Sequence, residues 1–139
     1  MIPVDQDLFG MPYGNCFAAC VASILELPSP RCIANVMWDD TRWFQRFNTW
    51  AATKGFQALC HPWNDAAADY IREHHRDSHI IAAGPAARGF DHCCVYRGLQ
   101  LVHDPHPDRT GLDRENDWTI VWISDAGRFA TWTESARCP

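Results

Sequence analysis

Tyr13-Gly14-Asn15-Cys16-Phe17-Ala18-Ala19-Cys20-Val21-Ala22-Ser23-Ile24-Leu25-Glu26-Leu27-Pro28 is the stretch around which the chain is organised. From Cys16 to Leu27 only Glu26 carries a charge. The apolar residues fall all round a helix rather than on one stripe, which predicts a helix buried on most sides. Gly14 frees the backbone ahead of it, and Pro28 cannot continue it. Cys16 therefore stands at a helix N-terminus. Unpaired backbone N–H groups and the positive end of the helix dipole favour its thiolate there, and the thiolate is the nucleophilic form. A small buried hydrophobe is the plainer use of a free cysteine. The rest of the chain has to decide between the two.

The 139 residues predict a single domain over 1–139 with one sizeable core. Apolar residues make up 47% and seven are Trp, a composition unlike that of a disordered chain. The formal charge is -5, with no basic run or Lys/Arg stripe, which argues against nucleic acid as a partner. No segment approaches the length of a membrane span. The start, Met1-Ile2-Pro3-Val4-Asp5-Gln6-Asp7, lacks the basic head and apolar run of a signal peptide, so a cytoplasmic place is expected. The seven cysteines are odd in number and irregularly spaced, which favours free thiols over a disulfide framework.

Residues 1–15 read as a loop-rich approach carrying Pro3, Gly10, Pro12 and Gly14. After the buried helix, Ser29 can cap a short helix over 31–37 with Pro30 at its first position. Asp39-Asp40-Thr41 leads into a helix from Arg42 to Lys54, its Trp43, Phe47, Trp50 and Ala51 at helical spacing and Gly55 as its stop. Residues 56–60 read as a strand. Asn64 or Asp65 can cap a helix to about His75. The pattern then turns to β over 78–83, 92–96, 99–103 and 118–123, with Arg97-Gly98 as a turn and Asp104-Pro105-His106-Pro107-Asp108 as a rigid loop. Helices first and antiparallel strands after them predict an α+β domain, the helices packed on one sheet.

A cysteine nucleophile needs a base, and the base needs a partner that fixes its tautomer. The hairpin 92–104 offers both. A turn centred on Arg97-Gly98-Leu99 sets His92 opposite Asp104, and a two-residue turn sets them diagonally; in both registers the side chains come within reach. His103 is a rival base, but alternation turns it to the other face of the strand. His106, in its proline-bounded loop, is placed to line a pocket or touch substrate. An oxyanion hole would take the backbone N–H of Cys16 and a second donor from Gln6 or Asn15, although Asn15 serves equally well as a turn residue.

Cys at a helix start, then His opening a strand, then Asp ending the next strand resembles the papain-like cysteine peptidase superfamily. His92-Cys93-Cys94-Val95-Tyr96 with His103-Asp104-Pro105 is similar to the elements of bacteriocin-leader-processing cysteine peptidases. Gly14-Asn15-Cys16-Phe17 resembles the Asp-Gly-Asn-Cys element of ovarian-tumour-type deubiquitinases. Small bacteriophage and bacterial proteins share the Gly-Asn-Cys-Phe and His-Asp-Pro-His-Pro stretches. The resemblance implies a papain-like fold, with Cys16 as nucleophile, His92 as general base and acid, and Asp104 as the orienting acid. It implies an amide, peptide or isopeptide substrate, with no cofactor and no metal. The leader peptidases carry Gln about six positions before Cys and Gly just after it. Here those positions hold Gly10 and Phe17, so Gln6 fits only through a longer loop.

Two other classes compete. One is a zinc-binding module drawing on Cys60-His61, His92-Cys93-Cys94, His103 and His106, although the chain has no Cys-x-x-Cys pair. The other is a non-catalytic binding protein on the same fold.

Overall fold

The computed structural model describes residues 1–10, 14–33, 42–113 and 118–124. The expected helix residues 34–37, the Asp39-Asp40-Thr41 lead-in and the tail after Asp125 lie outside them. Helix α1 (Cys16–Leu25) comes first, followed by a 3-10 turn (Pro30–Cys32) and α2 (Trp43–Thr53). Strand β1 (Gln57–Pro62), α3 (Asp65–His74), β2 (His79–Pro85), β3 (Asp91–Arg97), β4 (Gln100–His103) and β5 (Thr119–Ser124) complete it. The five strands form one antiparallel sheet in the order β1-β5-β2-β3-β4. The architecture is α+β.

Eight residues of α1 are buried, as its all-round apolar pattern requires. Glu26 ends it in the left-handed region, and the Leu27 N–H closes on the Ala22 carbonyl. Phe17 fills the contact with α2, its ring set edge-on to Trp43 and Phe47. Of the α2 row expected as core, Phe47 and Ala51 are fully buried, and Trp43 and Trp50 are half-buried against them. Ser29 caps the 3-10 turn at the Arg31 N–H. Asn64, rather than Asp65, caps α3 through the Ala67 N–H at 2.8 Å.

The helices pack on one sheet, as expected, and divide between its two faces. Ile81, Cys93, Val95 and Val121 form one core with α1 and α2. Ile80, Ala82, Cys94, Tyr96 and Ile120 form a second core with Ile71 of α3. The sequence order explains it. β1 precedes α3 and joins the sheet, so the chain enters α3 from the sheet's far edge.

The N-terminal segment is a strap across α1. Ser23, in the middle of the helix, bonds back to the Ala19 carbonyl and accepts the Val4 N–H at 2.9 Å. The terminal amine meets Glu26 at 2.7 Å. Downstream, the Gln6 N–H donates to the Pro105 carbonyl, and so the strap reaches the loop after β4.

No helix among the described residues is long and apolar enough to cross a membrane. Cys16, Cys20, Cys60, Cys93 and Cys94 are free thiols. Cys32 is disulfide-bonded.

Candidate active site

Cys16 is the first residue of α1. The Asn15 side chain makes no cap bond to the first turn, so the N–H groups there keep their positive pole near the sulfur. Cys16 lines a cleft of about 310 Å³ together with Gln6, Phe90, His92 and His106. A larger cavity of about 740 Å³, between Leu59, His61, Tyr70 and Trp122, contains neither Cys16 nor His92.

The register of β3 and β4 brings His92 and Asp104 together. Arg97 pairs with Gln100 and Tyr96 with Leu101, which leaves a two-residue turn at Gly98-Leu99. Continued without a break, that pairing would put Asp104 opposite Cys93, on the α1 face of the sheet. A bulge between Tyr96 and Val95 shifts the ladder by one, so that Val95 pairs with His103. Asp104 then falls opposite Cys94 and shares a face with His92, diagonally. The two-residue turn considered from sequence is found, but the bulge sets the far end of the ladder in a register that was not considered, with Asp104 two residues diagonal from His92. His103 faces the other way and bonds the Val4 carbonyl, in accord with the alternation argument.

His92 Nε2 lies 2.7 Å from Asp104 Oδ1, both side chains almost sealed from solvent. That leaves Nδ1 as the free ring nitrogen, and His92 and Cys16 line the same cleft. Asp104 is held at every point. Its Oδ1 also accepts the His106 N–H and its Oδ2 the Gly111 N–H, each at 2.8 Å. Its carbonyl accepts from the Arg109 guanidinium, which also grips both carboxylate oxygens of Asp5 at 2.7 and 2.8 Å. The His106 ring stands edge-on between those of His92 and Phe9.

These contacts set the charges. Cys16 is lowered to about 5. The hydrogen bond from the Cys93 thiol is the largest cause; burial opposes it, and the hydrogen bond and charge of His92 add to it. Burial pulls His92 down, but its bonds to Cys16 and Asp104 outweigh that and raise it. Burial likewise pushes Asp104 up, and the bonds from His92, His106 and Gly111 bring it below its ordinary value. The Cys93 thiol is pushed well up by its contact with Cys16 and by burial, so it stays protonated and donates. The two shifts favour the thiolate form of Cys16 and the protonated form of His92.

The two oxyanion candidates separate. Gln6 lines the cleft, with one N–H of its Nε2 donated to the Leu8 carbonyl at 3.0 Å. Asn15 is turned away. Its Oδ1 accepts the N–H groups of Asp7 and Leu8, and its Nδ2 donates to Asp7 Oδ1 at 2.6 Å. Asn15 braces the loop, so its turn role replaces that of a donor into the cleft. The zinc candidates do not gather as a set. Cys60 and His61 lie on β1, at the opposite edge of the sheet. Among the described residues, His92, Cys94 and Asp104 bring ligand atoms within 4.8 Å of one another, and two of these are bonded to each other.

Arg109, Gly111 and Cys93 belong to the site and were not singled out for it from sequence. Arg109 and Gly111 lie beyond the proline-bounded loop, where spacing carries no register. Alternation across the strand predicts that at least one of Cys93 and Cys94 is core; both are buried, and Cys93 lies on the face that α1 and Cys16 pack against.

No protein-family profile, no curated protein and no solved structure matches the chain.

Proposed function

We propose that this chain is a papain-like thiol hydrolase or acyltransferase acting on an amide, peptide or isopeptide bond. The observation that carries the reading is the sealed 2.7 Å bond from His92 Nε2 to Asp104 Oδ1, with the Cys16 sulfur left to the other ring nitrogen. That is the order of groups a thiolate nucleophile needs. The α1 packing on β3, with Cys16 at the helix start, supports the papain-like assignment.

In this reading the Cys16 thiolate attacks the carbonyl carbon. The oxyanion is met by the Cys16 backbone N–H and by the N–H of Gln6 that Leu8 leaves unused. His92 gives its Nδ1 proton to the leaving amine, and a thioester remains on Cys16. His92 then takes a proton from water, or from another acceptor, as that nucleophile attacks the thioester. Asp104 holds the ring and its charge throughout. The cleft is at the small end for ligand sites, so it suits a short extended segment around the scissile bond. A peptide or protein substrate, reached from a cytoplasmic place, is the partner this reading names.

The test is alkylation of Cys16 against pH, read by mass spectrometry, in the parent and in His92→Ala, followed by peptide and isopeptide substrates. A fast, His92-dependent reaction with turnover supports the proposal. A thiol that reacts like free cysteine and ignores His92 returns the protein to the binding class.

A further inference from the structure

Cys16 opens α1, and Cys93 lies on the strand beneath that helix, in the core that Cys16 packs against. The Cys93 thiol is also the chief cause of the lowered Cys16, and acyl transfer requires no covalent chemistry of it. Only Cys16 of the two lines the cleft. Cys93 is 9% exposed. The other thiols nearby are placed differently. Cys20 is wholly buried one turn along α1, and Cys94 belongs to the core of the opposite face.

We infer that Cys16 and Cys93 form an oxidation site for hydroperoxides, Cys16 as the thiol attacked first and Cys93 as its resolving partner. The inference rests on the thiolate reading of Cys16 made above. The exposure of the two residues fixes the order of steps. A peroxide entering the cleft meets Cys16. The thiolate attacks a peroxide oxygen, the O–O bond breaks, and the leaving alkoxide or hydroxide takes a proton from solvent. Cys16 is left as a sulfenic acid. The Cys93 sulfur then attacks the Cys16 sulfur. An S–S bond forms and the S–O bond breaks, and the departing hydroxide leaves as water with the Cys93 proton. Two electrons have passed from the thiol pair to the peroxide. The product is inactive as a nucleophile and protected from sulfinic acid, and an external dithiol restores it.

Hydrogen peroxide is added to the full chain and to its Cys93→Ser and Cys20→Ser variants, with and without dimedone, and the peptides are mapped. Iodoacetamide reactivity of untreated Cys16 is measured alongside. The parent and Cys20→Ser are expected to lose two hydrogens, to yield a linked Cys16–Cys93 peptide, and to regain iodoacetamide reactivity on adding dithiothreitol. Cys93→Ser is expected to lose that link, to accumulate the dimedone adduct at Cys16, and to proceed to sulfinic acid that dithiothreitol does not reverse. Sulfinic acid forming in the parent as readily as in Cys93→Ser, or a link to Cys20, overturns the inference. An untreated Cys16 that alkylates as slowly as a free thiol overturns the thiolate reading instead, and the two failures are thereby told apart.

Discussion

Asp104 reaches His92 diagonally across the β3–β4 ladder, Oδ1 to Nε2 at 2.7 Å, because the ladder slips by one residue beyond Tyr96. Its carboxylate accepts three hydrogen bonds, two of them from backbone N–H groups. Replacing Asp104 with Ala removes the anchor of the ring and leaves the buried Gly111 N–H and the part-buried His106 N–H without an acceptor. Turnover is expected to fall by about 10²–10⁴-fold. Asp104→Asn keeps an acceptor but no charge, and should lose most of the same activity through the wrong tautomer. Steady-state kinetics on any substrate the parent turns over makes the comparison. The lowered carboxyl also predicts an acid limb of stability. Its contribution is whole above about pH 3.9, the unfolded value, and is lost as pH falls below it.

Cys16 should titrate in the alkylation profile at about 5, far below the 8.5 or so of a free thiol. Because the thiolate is the reactive form, the rate rises with pH through that midpoint. Cys93→Ala removes the largest stabilising bond and should move the midpoint upward. Cys93→Ser keeps an O–H donor and should move it less. His92→Ala should also raise it. His92 itself is raised, so the imidazolium persists above its ordinary value of about 6.5 and is lost as pH climbs through the folded value. Amide turnover, which needs that proton, should therefore decline on the alkaline side. Midpoints for Cys93→Ala and His92→Ala that coincide with the parent's would refute the arrangement.

Arg109 ties Asp5 to the carbonyl of Asp104 and so joins the strap carrying Gln6 to the loop carrying the acid. The pair is exposed, and its own contribution to stability is about 0–1 kcal/mol. Arg109→Ala should thus melt near the parent while amide exchange quickens at Gly111 and His106, whose N–H groups hold Asp104. Arg109→Lys should restore only part of the protection, since an ammonium does not reproduce a two-pronged grip. Exchange measured by NMR at those two amides is the readout.

The helix bearing Cys16, the aromatic row of α2, the Asn64 cap and the hairpin with its Gly98 turn were all legible in sequence. Each rests on local rules of charge, spacing and turn chemistry. The approach of His92 to Asp104 across the hairpin was legible, but not the bulge that replaces both expected registers with a third, since no residue in 95–103 marks one. The side of the sheet taken by α3 was not legible. It depends on β1 joining β5, a contact between residues about sixty apart in sequence. The clasp of Arg109 on Asp5 was hidden for the same reason. Asn15 was read two ways, and the structure settles it through Asp7 and Leu8, which local spacing alone could not rank.

Phe17 stands where the resembling peptidases carry glycine, and the structure gives it a task. It is 5% exposed and sits edge-on to Phe47 and Trp43 at ring separations of 5.1 and 5.2 Å. Phe17→Ala opens a cavity between α1 and α2 and should cost about 3–5 kcal/mol. A domain of this size has only about 5–15 kcal/mol to lose, so a large drop in melting temperature is expected. Phe17→Leu keeps most of the volume and should cost about half as much or less. Below its melting point, Phe17→Leu should still alkylate at Cys16 with the parent's pH midpoint, because His92 and Cys93 are unchanged. Thermal unfolding by circular dichroism and the alkylation profile together check both halves. If Phe17→Ala unfolds with the parent, the residue does not carry the α1–α2 contact.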